Sequence, residues 1–363
     1  MPAIDLRSDT LTLPTGAMRE AMRQAPVGDD GLDGDPSMAR LEALAAERLG
    51  KDAALFVASG TMGNLVASLT HAVRGGEAIA DEHAHLVRNE VGGIARLVGL
   101  HCHRLPALGG AMDLDQVRGL LRPAHSREGQ PTAMVVVESS HNYSGGAVPS
   151  LDYMRALHEL AQGAGAAVHL DGARIFNAAL SLGVDVREIA ALADSVTFCL
   201  SKGLSAPMGS LLAGSREFIA RARTYRRMVG GGLRQAGSMA AAGIVALKQM
   251  TDRLADDHRH ASRLWEQLAR GGSGLVAETP PATNILMIDV SARSARAPAD
   301  GWLAELERQG VRLRARDAGT LRAVLHRHIS ADDVDAAAAV ILRVLCDGGG
   351  PPPSGCRGPA QSG

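Results

Sequence analysis

Two stretches of the sequence decide the fold: Val168-His169-Leu170-Asp171-Gly172-Ala173-Arg174 and Val196-Thr197-Phe198-Cys199-Leu200-Ser201-Lys202-Gly203. Each begins as a short run with strand character and then presents a charged residue, Asp171 or Lys202, next to a glycine. In open α/β sheets the carboxyl ends of the strands line the ligand crevice. The two stretches therefore predict strands that deliver a carboxylate and an amine to such a crevice.

Short apolar runs alternate with segments of helical spacing along most of the chain. The runs are bounded by Gly, Pro or polar residues, and most are apolar on both faces, which suits strands of a largely parallel sheet covered by helices on both sides. We predict an α/β fold with a mainly parallel central sheet. The predicted strands are Ala53–Ala58, Ala78–Ala80, Met134–Val137, Ala166–Leu170, Val196–Leu200 and Ser210–Ala213; the predicted helices are Met62–Val73, Leu114–Leu121, Leu151–Ala161 and Arg216–Met228.

The character of the chain changes after the predicted sheet. Asp35-Pro36 predicts the start of an early helix that reaches Leu49, and a long helical stretch is predicted from Ser238 to Arg270. Strands at Asn284–Val290 and Thr320–Leu325 then indicate a smaller α+β domain. We predict an N-terminal segment at 1–15, a large domain at 16–245, a small domain at 246–346, and a disordered tail at 347–363, which has six Gly and four Pro.

Composition excludes several classes of protein. The 363 residues carry 38 Lys plus Arg against 39 Asp plus Glu, and only 2% are aromatic, so we expect no nucleic-acid partner. An apolar run of about 18 residues and a signal-peptide core are both missing from the sequence, and we expect no membrane partner and a cytoplasmic location. The four cysteines lack the spacing of a disulfide framework or a zinc site.

Lys202 is a candidate for amine chemistry. Only three of the 38 basic residues are lysines, and Lys51 and Lys248 have the polar or helical surroundings of surface residues. A lysine at the end of a buried strand has its ammonium form disfavoured by desolvation, which is what an amine that forms a Schiff base requires. The alternative is a lysine whose stem lies along the strand end and whose charge reaches water.

Three further positions have the residue types of a cofactor site. Asp171 can hold a heterocyclic nitrogen protonated, as pyridoxal phosphate requires, or it can simply cap a helix. The turn Ser59-Gly60-Thr61-Met62-Gly63-Asn64 joins a strand to a helix and offers free N–H groups to a phosphate, although such turns also merely cap helices. His85 lies on the next strand-to-helix connection, where an imidazole can stack on a ring or act as a base. His83 and His85 show no third ligand at metal-binding spacing, so we predict no metal.

Six motifs, read in order, resemble low-specificity L-threonine aldolases, which are fold type I pyridoxal phosphate enzymes. The likeness extends over about residues 4 to 345. The motifs are Ile4-Asp5-Leu6-Arg7-Ser8-Asp9-Thr10, Val27-Gly28-Asp29-Asp30, Ser59-Gly60-Thr61-Met62-Gly63-Asn64, His169-Leu170-Asp171-Gly172-Ala173-Arg174, Cys199-Leu200-Ser201-Lys202-Gly203-Leu204 and Gly230-Gly231-Gly232-Leu233-Arg234-Gln235-Ala236-Gly237.

The resemblance implies a role for each matched residue. Lys202 matches the lysine that binds the cofactor, Asp171 the partner of the ring nitrogen and His85 the ring-stacking histidine. Further matches concern phosphate and carboxylate groups: Gly60 and Thr61 for the phosphate turn, Arg234 for an arginine that reaches a neighbouring subunit's phosphate, and Ser8, Arg174 and Arg322 for the substrate carboxylate. The resemblance also implies a homotetramer built as a pair of dimers.

The implied reaction is cleavage of L-threonine, L-allo-threonine and related β-hydroxy-α-amino acids to glycine and an aldehyde. The alternatives are another lyase or racemase reaction on the same cofactor, or a homologue that binds the cofactor with impaired catalysis. Some positions depart from the family. Leu32 stands where the family has an active-site tyrosine, Glu138-Ser139-Ser140-His141-Asn142 replaces Glu-Asn-Thr-His-Asn, and Leu325 replaces a common threonine; His125 is a match for a second family histidine.

Overall fold

The structure is a computed structural model that describes residues 3–72, 75–123, 129–272, 274–293 and 298–346. The chain divides into two compact units: residues 12–255 form the large unit, and the small unit combines residues up to Leu11 with those from Asp256 onward. The predicted tail at 347–363 and the family match at His125 lie outside the described residues.

Helices and strands alternate along most of the chain, and the following elements belong to both units. In chain order the strands are β1 (Ile4–Asp5), β2 (Ala53–Val57), β3 (Glu77–Asp81), β4 (His101–Leu105), β5 (Ala107–Leu108), β6 (Ala111–Met112), β7 (Thr132–Glu138), β8 (Ala167–Asp171), β9 (Ser195–Cys199), β10 (Ser210–Gly214), β11 (Ile285–Asp289), β12 (Val311–Arg312), β13 (Arg314–Asp317) and β14 (Thr320–Val324). The α-helices are α1 (Gly16–Gln24), α2 (Pro36–Leu49), α3 (Gly60–His71), α4 (His85–Arg88), α5 (Leu114–Leu120), α6 (Leu151–Gly163), α7 (Ile175–Leu182), α8 (Val186–Ala190), α9 (Arg216–Met228), α10 (Gly237–Gln249), α11 (Leu254–Gly271), α12 (Ala299–Arg308) and α13 (Ala331–Leu345).

A seven-stranded sheet of order β2-β10-β9-β8-β7-β3-β4 forms the centre of the large unit. β3 pairs in parallel with β4 and β7, and β8 pairs in parallel with β7 and β9. β10 runs antiparallel to both β2 and β9. The predicted α/β fold with a mainly parallel sheet is therefore confirmed, and β2 points in the same direction as the parallel strands.

Side chains that alternate along each strand enter separate cores. Val168 and Leu170 of β8 join a cluster with residues of α2, α6, α7 and α10. On the opposite face, Leu55 and Val57 of β2 pack with α3 and α9. Because both faces are covered, most strands read as nearly continuous apolar runs, whereas β8 and β9 also carry buried polar side chains.

Helix starts in the large unit agree with the capping signals in the sequence. Asp35 is the N-cap of α2, with Pro36 at the first helical position, and its Oδ1 accepts from the N–H of Met38 at 3.0 Å. The other oxygen, Oδ2, accepts from Gly28 N at 3.1 Å and Gly237 N at 2.9 Å. The predicted cap is thus confirmed, and it also ties the segment at Gly28 and the start of α10 to α2.

The small unit has its own sheet and core. β14 lies between β11 and β13 in an antiparallel sheet, and β1 pairs in parallel with β12. Leu6, Trp302 and Leu321 are among the fully buried members of its core. The predicted strands near 285 and 320 are confirmed, and the N-terminal strand belongs to this unit.

Three features differ from the sequence predictions. β4 was not predicted, because His101-Cys102-His103-Arg104-Leu105 is a polar, partly exposed edge strand. The antiparallel direction of β10 was not predicted, because a short apolar run in the sequence does not indicate in which direction the strand runs. The predicted helix from Ser238 to Arg270 is two helices, α10 and α11, separated by residues 250–253.

Candidate active site

The carboxyl ends of five strands meet at one edge of the central sheet. Gly60 follows β2, His85 follows β3, Glu138 ends β7, Asp171 ends β8, and Lys202 follows β9. β2, β3, β7, β8 and β9 all point the same way, so their ends lie along one crevice. Residues that are distant in the sequence are thereby brought to one site, as the stretches around Asp171 and Lys202 predict.

Asn64 links the two acidic groups of this crevice. Its Nδ2 donates to Asp171 Oδ2 at 2.7 Å and to Glu90 Oε1 at 2.8 Å. The Asp171 Oδ1 atom accepts from the N–H of Ala173 at 3.2 Å, and Asp171 is buried. Asp171 is therefore held at both oxygens at the end of β8.

Glu90 orients His85. The Nδ1 atom of His85 lies 2.8 Å from Glu90 Oε1, and the backbone N–H of His85 donates to Glu138 Oε2 at 2.6 Å. The hydrogen bond with Glu90 raises the pKa of His85, and the charge of Asp171 adds to the rise while that of Lys202 opposes it. Both charges thus act on the imidazole. With Nδ1 engaged, Nε2 is the nitrogen that His85 presents to a substrate.

The acidic groups around His85 are unusually hard to ionise. Burial raises the pKa of Glu90, and the charge of Asp171 raises it further. Burial also raises the pKa of Glu138, which accepts from the N–H groups of His85 and Asn142. Clustered carboxyl groups with raised pKa values are typical of a site built for proton transfer.

Lys202 is half-buried in the turn that follows β9. Its carbonyl oxygen accepts from Thr12 Oγ1 at 2.7 Å and from the N–H of Ser205 at 2.9 Å, so its backbone is fixed. Arg174, three residues after Asp171, is buried at the start of α7. The structure therefore brings Lys202, Asp171 and Arg174 to neighbouring strand ends.

The start of α3 has the geometry of an anion site. Ser59 caps the helix through Met62 N at 3.2 Å, and the backbone N–H groups of Gly60 and Thr61 precede the first intrahelical hydrogen bonds. A Cβ on Gly60 would lie 2.9 Å from Cys199 Sγ, so glycine lets the helix start close to β9. An amine, a carboxylate and free helix N–H groups at one edge of the sheet fit pyridoxal phosphate.

Arg234 and Leu32 lie on the surface around one turn. Arg234 Nη1 lies 3.4 Å from Asp29 Oδ1, and the arginine side chain is 63% exposed. Leu32, in the same turn as Asp29, is 81% exposed. Within a single chain, neither side chain is enclosed.

Ser8 and Arg322 belong to the small unit. Arg322, on β14, donates from Nη2 to the carbonyl oxygen of Arg7 at 3.2 Å. Ser8 is half-buried and its Oγ accepts from Thr10 N at 3.2 Å. The structure thus places Ser8 and Arg322, the two residues predicted to bind the substrate carboxylate from this unit, beside one another. Leu325 is buried in the core of this unit.

Two sequence inferences need correction. Lys51 is not a surface lysine: its Nζ donates to the carbonyl oxygen of Ala193 at 2.6 Å, and burial lowers its pKa. The second concerns metal ligands: His85 lies not in a group with His83 but with Glu90 and Asp171, and atoms of these three residues lie within 4.8 Å of one another in the described structure. These atoms are already bonded to one another or to Asn64, and we assign no metal to them.

Sequence reasoning missed Glu90, and it quoted Asn64 without giving it a role. Asn64 stands between Gly63 and the apolar pair Leu65 and Val66 in α3, and an amide at that place is a signal that could have identified it. His141 was noted only as a departure. Its Nε2 lies 2.6 Å from Asp81 Oδ2, and both residues are buried. This ion pair anchors the segment after β7 to the end of β3.

A cavity of about 420 Å³ lies elsewhere in the large unit. It is lined by residues of α2, α7 and α8, including Arg48 and Phe176, and by Thr251 from the segment between α10 and α11. None of the predicted site residues lines this cavity. Every helix in the described ranges is too short or too polar to span a membrane.

Known proteins match this architecture over most of its length. The putative L-allo-threonine aldolase of Listeria monocytogenes superposes with a TM-score of 0.77 at 21% identity, covering 94% of this chain and 96% of that one. A threonine aldolase of Leishmania major gives a TM-score of 0.79 at 18% identity, covering 94% and 99%. The fold is that of the fold type I pyridoxal phosphate enzymes.

The sequence relatives are more specific. The family model described as beta-eliminating lyase matches residues 5–293. Low-specificity L-threonine aldolase 1 of Arabidopsis thaliana is 42% identical over 337 residues, covering 92% of this chain and 94% of that protein. The low specificity L-threonine aldolase of Escherichia coli K12 is 43% identical over 295 residues, covering 81% and 86%. The chain belongs to the beta-eliminating lyase family, among its low-specificity L-threonine aldolases.

Proposed function

We propose that this lyase uses pyridoxal phosphate to cleave L-threonine, L-allo-threonine and related β-hydroxy-α-amino acids to glycine and an aldehyde. The observation that carries the proposal is the convergence of Lys202, Asp171 and His85 at one sheet edge, beside the free N–H groups at the start of α3. When bound, the cofactor accepts the electron pair of the Cα–Cβ bond as that bond breaks.

Lys202 and Asp171 would hold the two sides of the cofactor. The amine of Lys202 provides the covalent attachment. The carboxylate of Asp171 accepts the hydrogen bond of the ring nitrogen and keeps that nitrogen protonated, since an adjacent negative charge favours the protonated form. Asn64 and the N–H of Ala173 keep the carboxylate in place for this task.

His85 is the proposed base for the β-hydroxyl proton. Its Nδ1–H donates to Glu90, so the lone pair of Nε2 is left to accept the proton directly or through a water. As Nε2 gains the proton, the carboxyl group of Glu90 stabilises the imidazolium. The same imidazole is proposed to lie against the cofactor ring.

Arginines would bind the anionic groups. Arg174 is proposed to fix the substrate carboxylate by a bidentate contact, which sets the Cα–Cβ bond at the angle that cleavage requires. Ser8 and Arg322 of the small unit are proposed to share that task, on the family resemblance. Gly60 and Thr61 donate backbone N–H groups to the phosphate.

Product analysis tests the proposal. The purified protein with its cofactor is incubated with L-threonine, L-allo-threonine and D-threonine, and glycine and acetaldehyde are measured. We expect equal amounts of both products from the L-isomers. A 2-oxo acid with ammonia would instead indicate β-elimination, and an inverted enantiomer would indicate racemisation; either result without glycine would reject the aldolase.

The Lys202→Ala variant tests the attachment. We expect it to lose the visible absorbance of covalently held cofactor and nearly all turnover, whereas Lys248→Ala, which changes an exposed lysine, should retain both. Retention of both properties by Lys202→Ala would remove the lysine from the mechanism.

We further propose that the protein is cytoplasmic and forms a homotetramer built from two dimers. In each dimer, Arg234 of one subunit is proposed to reach the phosphate bound in the site of the other subunit. The exposed positions of Arg234 and Leu32 support a partner surface at this turn. Co-expression of Lys202→Ala with Arg234→Ala should restore activity, because a mixed dimer contains one intact site, to about a quarter of the wild-type level in a random mixture of dimers. Absence of restoration would place Arg234 in its own chain's site.

A further inference from the structure

The strands beneath α3 carry a band of buried polar side chains. On β8, His169 and Asp171 alternate with the apolar Val168 and Leu170, and on β9 Ser195 faces His169 in the parallel register. His169 and Ser195 are both fully buried. Buried polar groups cost free energy unless they are hydrogen-bonded, so this band requires an explanation beyond packing.

These side chains form a continuous hydrogen-bonded chain that ends on Asp171. His71 Nε2 lies 2.7 Å from Ser195 Oγ, and Ser195 Oγ lies 2.8 Å from His169 Nδ1. The other ring nitrogen of His169 lies 3.1 Å from Asn64 Oδ1. Asn64 Nδ2 then donates to Asp171.

The direction of every donor follows from the acidic end. Asn64 faces two carboxyl groups, so its NH₂ group points at them and its oxygen faces His169. His169 therefore carries its hydrogen on Nε2, and its Nδ1 accepts from the hydroxyl of Ser195. That hydroxyl oxygen in turn accepts from Nε2–H of His71. Each hydrogen in the chain points toward Asp171.

This arrangement requires both imidazoles to be neutral, and burial favours the neutral form of each. Burial lowers the pKa of His169 to about 4, although the charge of Asp171 opposes the shift. Burial lowers the pKa of His71 to about 3, and the neighbouring His169 and Arg221 lower it too. Phe218 packs on the ring of His71, with centroids 4.5 Å apart.

We infer that Asn64, His169, Ser195 and His71 are positioning residues whose aligned hydrogen bonds keep Asp171 ionised and aimed at the cofactor's ring nitrogen. Hydrogen bonds that point in one direction polarise one another, and in a low-dielectric interior their combined dipole stabilises the negative charge at its end. The inference rests on the proposed role of Asp171 and extends it to groups three and four side chains away.

A matched pair of variants separates this role from packing. Ser195→Ala removes the hydroxyl in the middle of the chain. Thr197→Val removes another buried hydroxyl on the same face of β9, two residues along, and within the described structure that hydroxyl has no hydrogen-bond partner. Ser195→Thr restores a hydroxyl and serves as the rescue.

The readout is the protonation of the cofactor itself. Each protein is loaded with pyridoxal phosphate labelled with ¹⁵N in the ring, and the ¹⁵N chemical shift is recorded near neutral pH. We expect the wild type, Thr197→Val and Ser195→Thr to show the protonated ring nitrogen. Ser195→Ala should move toward the unprotonated shift, with kcat reduced by up to about tenfold and KM nearly unchanged, because the lost hydrogen bond joins two neutral groups and a tenfold change, about 1.4 kcal/mol, is the upper end of what such a bond contributes. His71→Leu, at the far end, should give a smaller shift in the same direction.

The outcomes are distinct. If the wild type lacks a protonated ring nitrogen, the proposed role of Asp171 fails. If the wild type has it and Ser195→Ala has the same ¹⁵N shift and kcat, the hydrogen-bonded chain has no role and the inference is overturned. Equal changes in Ser195→Ala and Thr197→Val would also overturn it, since they would reflect packing alone.

Discussion

At the scale of single residues, the contact between His85 and Glu90 sets the pH dependence of the proposed reaction. The base must be neutral to accept a proton, so activity is present above the raised pKa of His85 and is lost as the pH falls through it. In Glu90→Gln the hydrogen-bonded carboxyl group is gone and the pKa of His85 falls. The acidic limb of kcat/KM should therefore move to lower pH, and the plateau should fall because the base is weaker.

Glu82→Gln is the control for this prediction. Glu82 is exposed and precedes His85 on the same connection. The acidic limb of the kcat/KM profile of Glu82→Gln should coincide with that of the wild type. If Glu90→Gln leaves the limb in place, another group than His85 controls it. Loss of the imidazole itself, in His85→Ala, should lower kcat by about 10²–10⁴-fold.

The candidate site residues could be predicted from the sequence only where a motif carries them. Lys202 and Asp171 stand at the ends of apolar runs, and His85 follows a strand. Glu90 has no such signal, because it reaches the site through the turn after α4, and Asn64, which ties it to Asp171, lies 26 residues away in the sequence. Tertiary contacts, which no local pattern encodes, determine that part of the site.

At the scale of secondary-structure elements, Asp35 is a strong test of the fold. It caps α2 and accepts from two further backbone N–H groups while buried. Asp35→Ala leaves these donors unpaired and should lower the free energy of unfolding by about 2–4 kcal/mol. Asp113→Ala removes an exposed cap of α5 and should cost about 1 kcal/mol. Urea unfolding measures both, and equal losses would contradict the role of burial.

Helix α3 packs very closely on β9 at Gly63. A Cβ at this position would lie 2.6 Å from Thr197 Cγ2, too close for any real contact. Gly63→Ala should therefore lower the free energy of unfolding by about 1–3 kcal/mol.

Gly119→Ala is the matched control for Gly63→Ala, because it makes the same substitution in another helix. Gly119 lies in α5, and a Cβ there has no neighbour within 4 Å. The substitution should raise the free energy of unfolding by about 0.5–1 kcal/mol, because alanine loses less backbone freedom in a helix. Thermal unfolding by circular dichroism compares the two variants. If Gly63→Ala leaves the stability unchanged, α3 can move away from the sheet to make room for the added methyl group.

Apolar periodicity predicts elements well where both faces are buried. The six strands predicted in the large unit are all present, and helix α9 spans the predicted residues. Periodicity fails at β4, where one side of the strand has no neighbour and its histidines remain partly exposed. It also cannot give strand direction, because β10 is a short, fully buried run just as the parallel strands of the sheet are.

At the scale of the whole molecule, buried histidines couple stability to pH. Burial lowers the pKa of His258 to about 4. The folded chain therefore favours the neutral ring, and this contribution to stability is full above the ordinary histidine value and is lost as the pH falls from about 6.5 toward 4. Between pH 7 and 5 the loss is about 2 kcal/mol.

His258→Gln removes that dependence. Its free energy of unfolding should fall by about 2 kcal/mol less than the wild type's between pH 7 and 5. His101→Gln, at an exposed position on β4, should behave like the wild type. Urea titrations at the two pH values measure the difference. An unchanged pH dependence in His258→Gln would show that the pKa of this ring hardly differs between the folded and the unfolded protein.

The position of β2 at one end of the sheet has a consequence for biosynthesis. Among the described strands, β2 pairs with β10 alone, and β10 is made about 150 residues later. At a translation rate of about 5–20 residues per second, the nascent β2 waits roughly 10 to 30 seconds for its partner. During that interval the five apolar residues of β2 are unpaired and can associate with other nascent chains. We therefore expect the supply of chaperones to limit the yield of this enzyme more than the stability of the folded protein does.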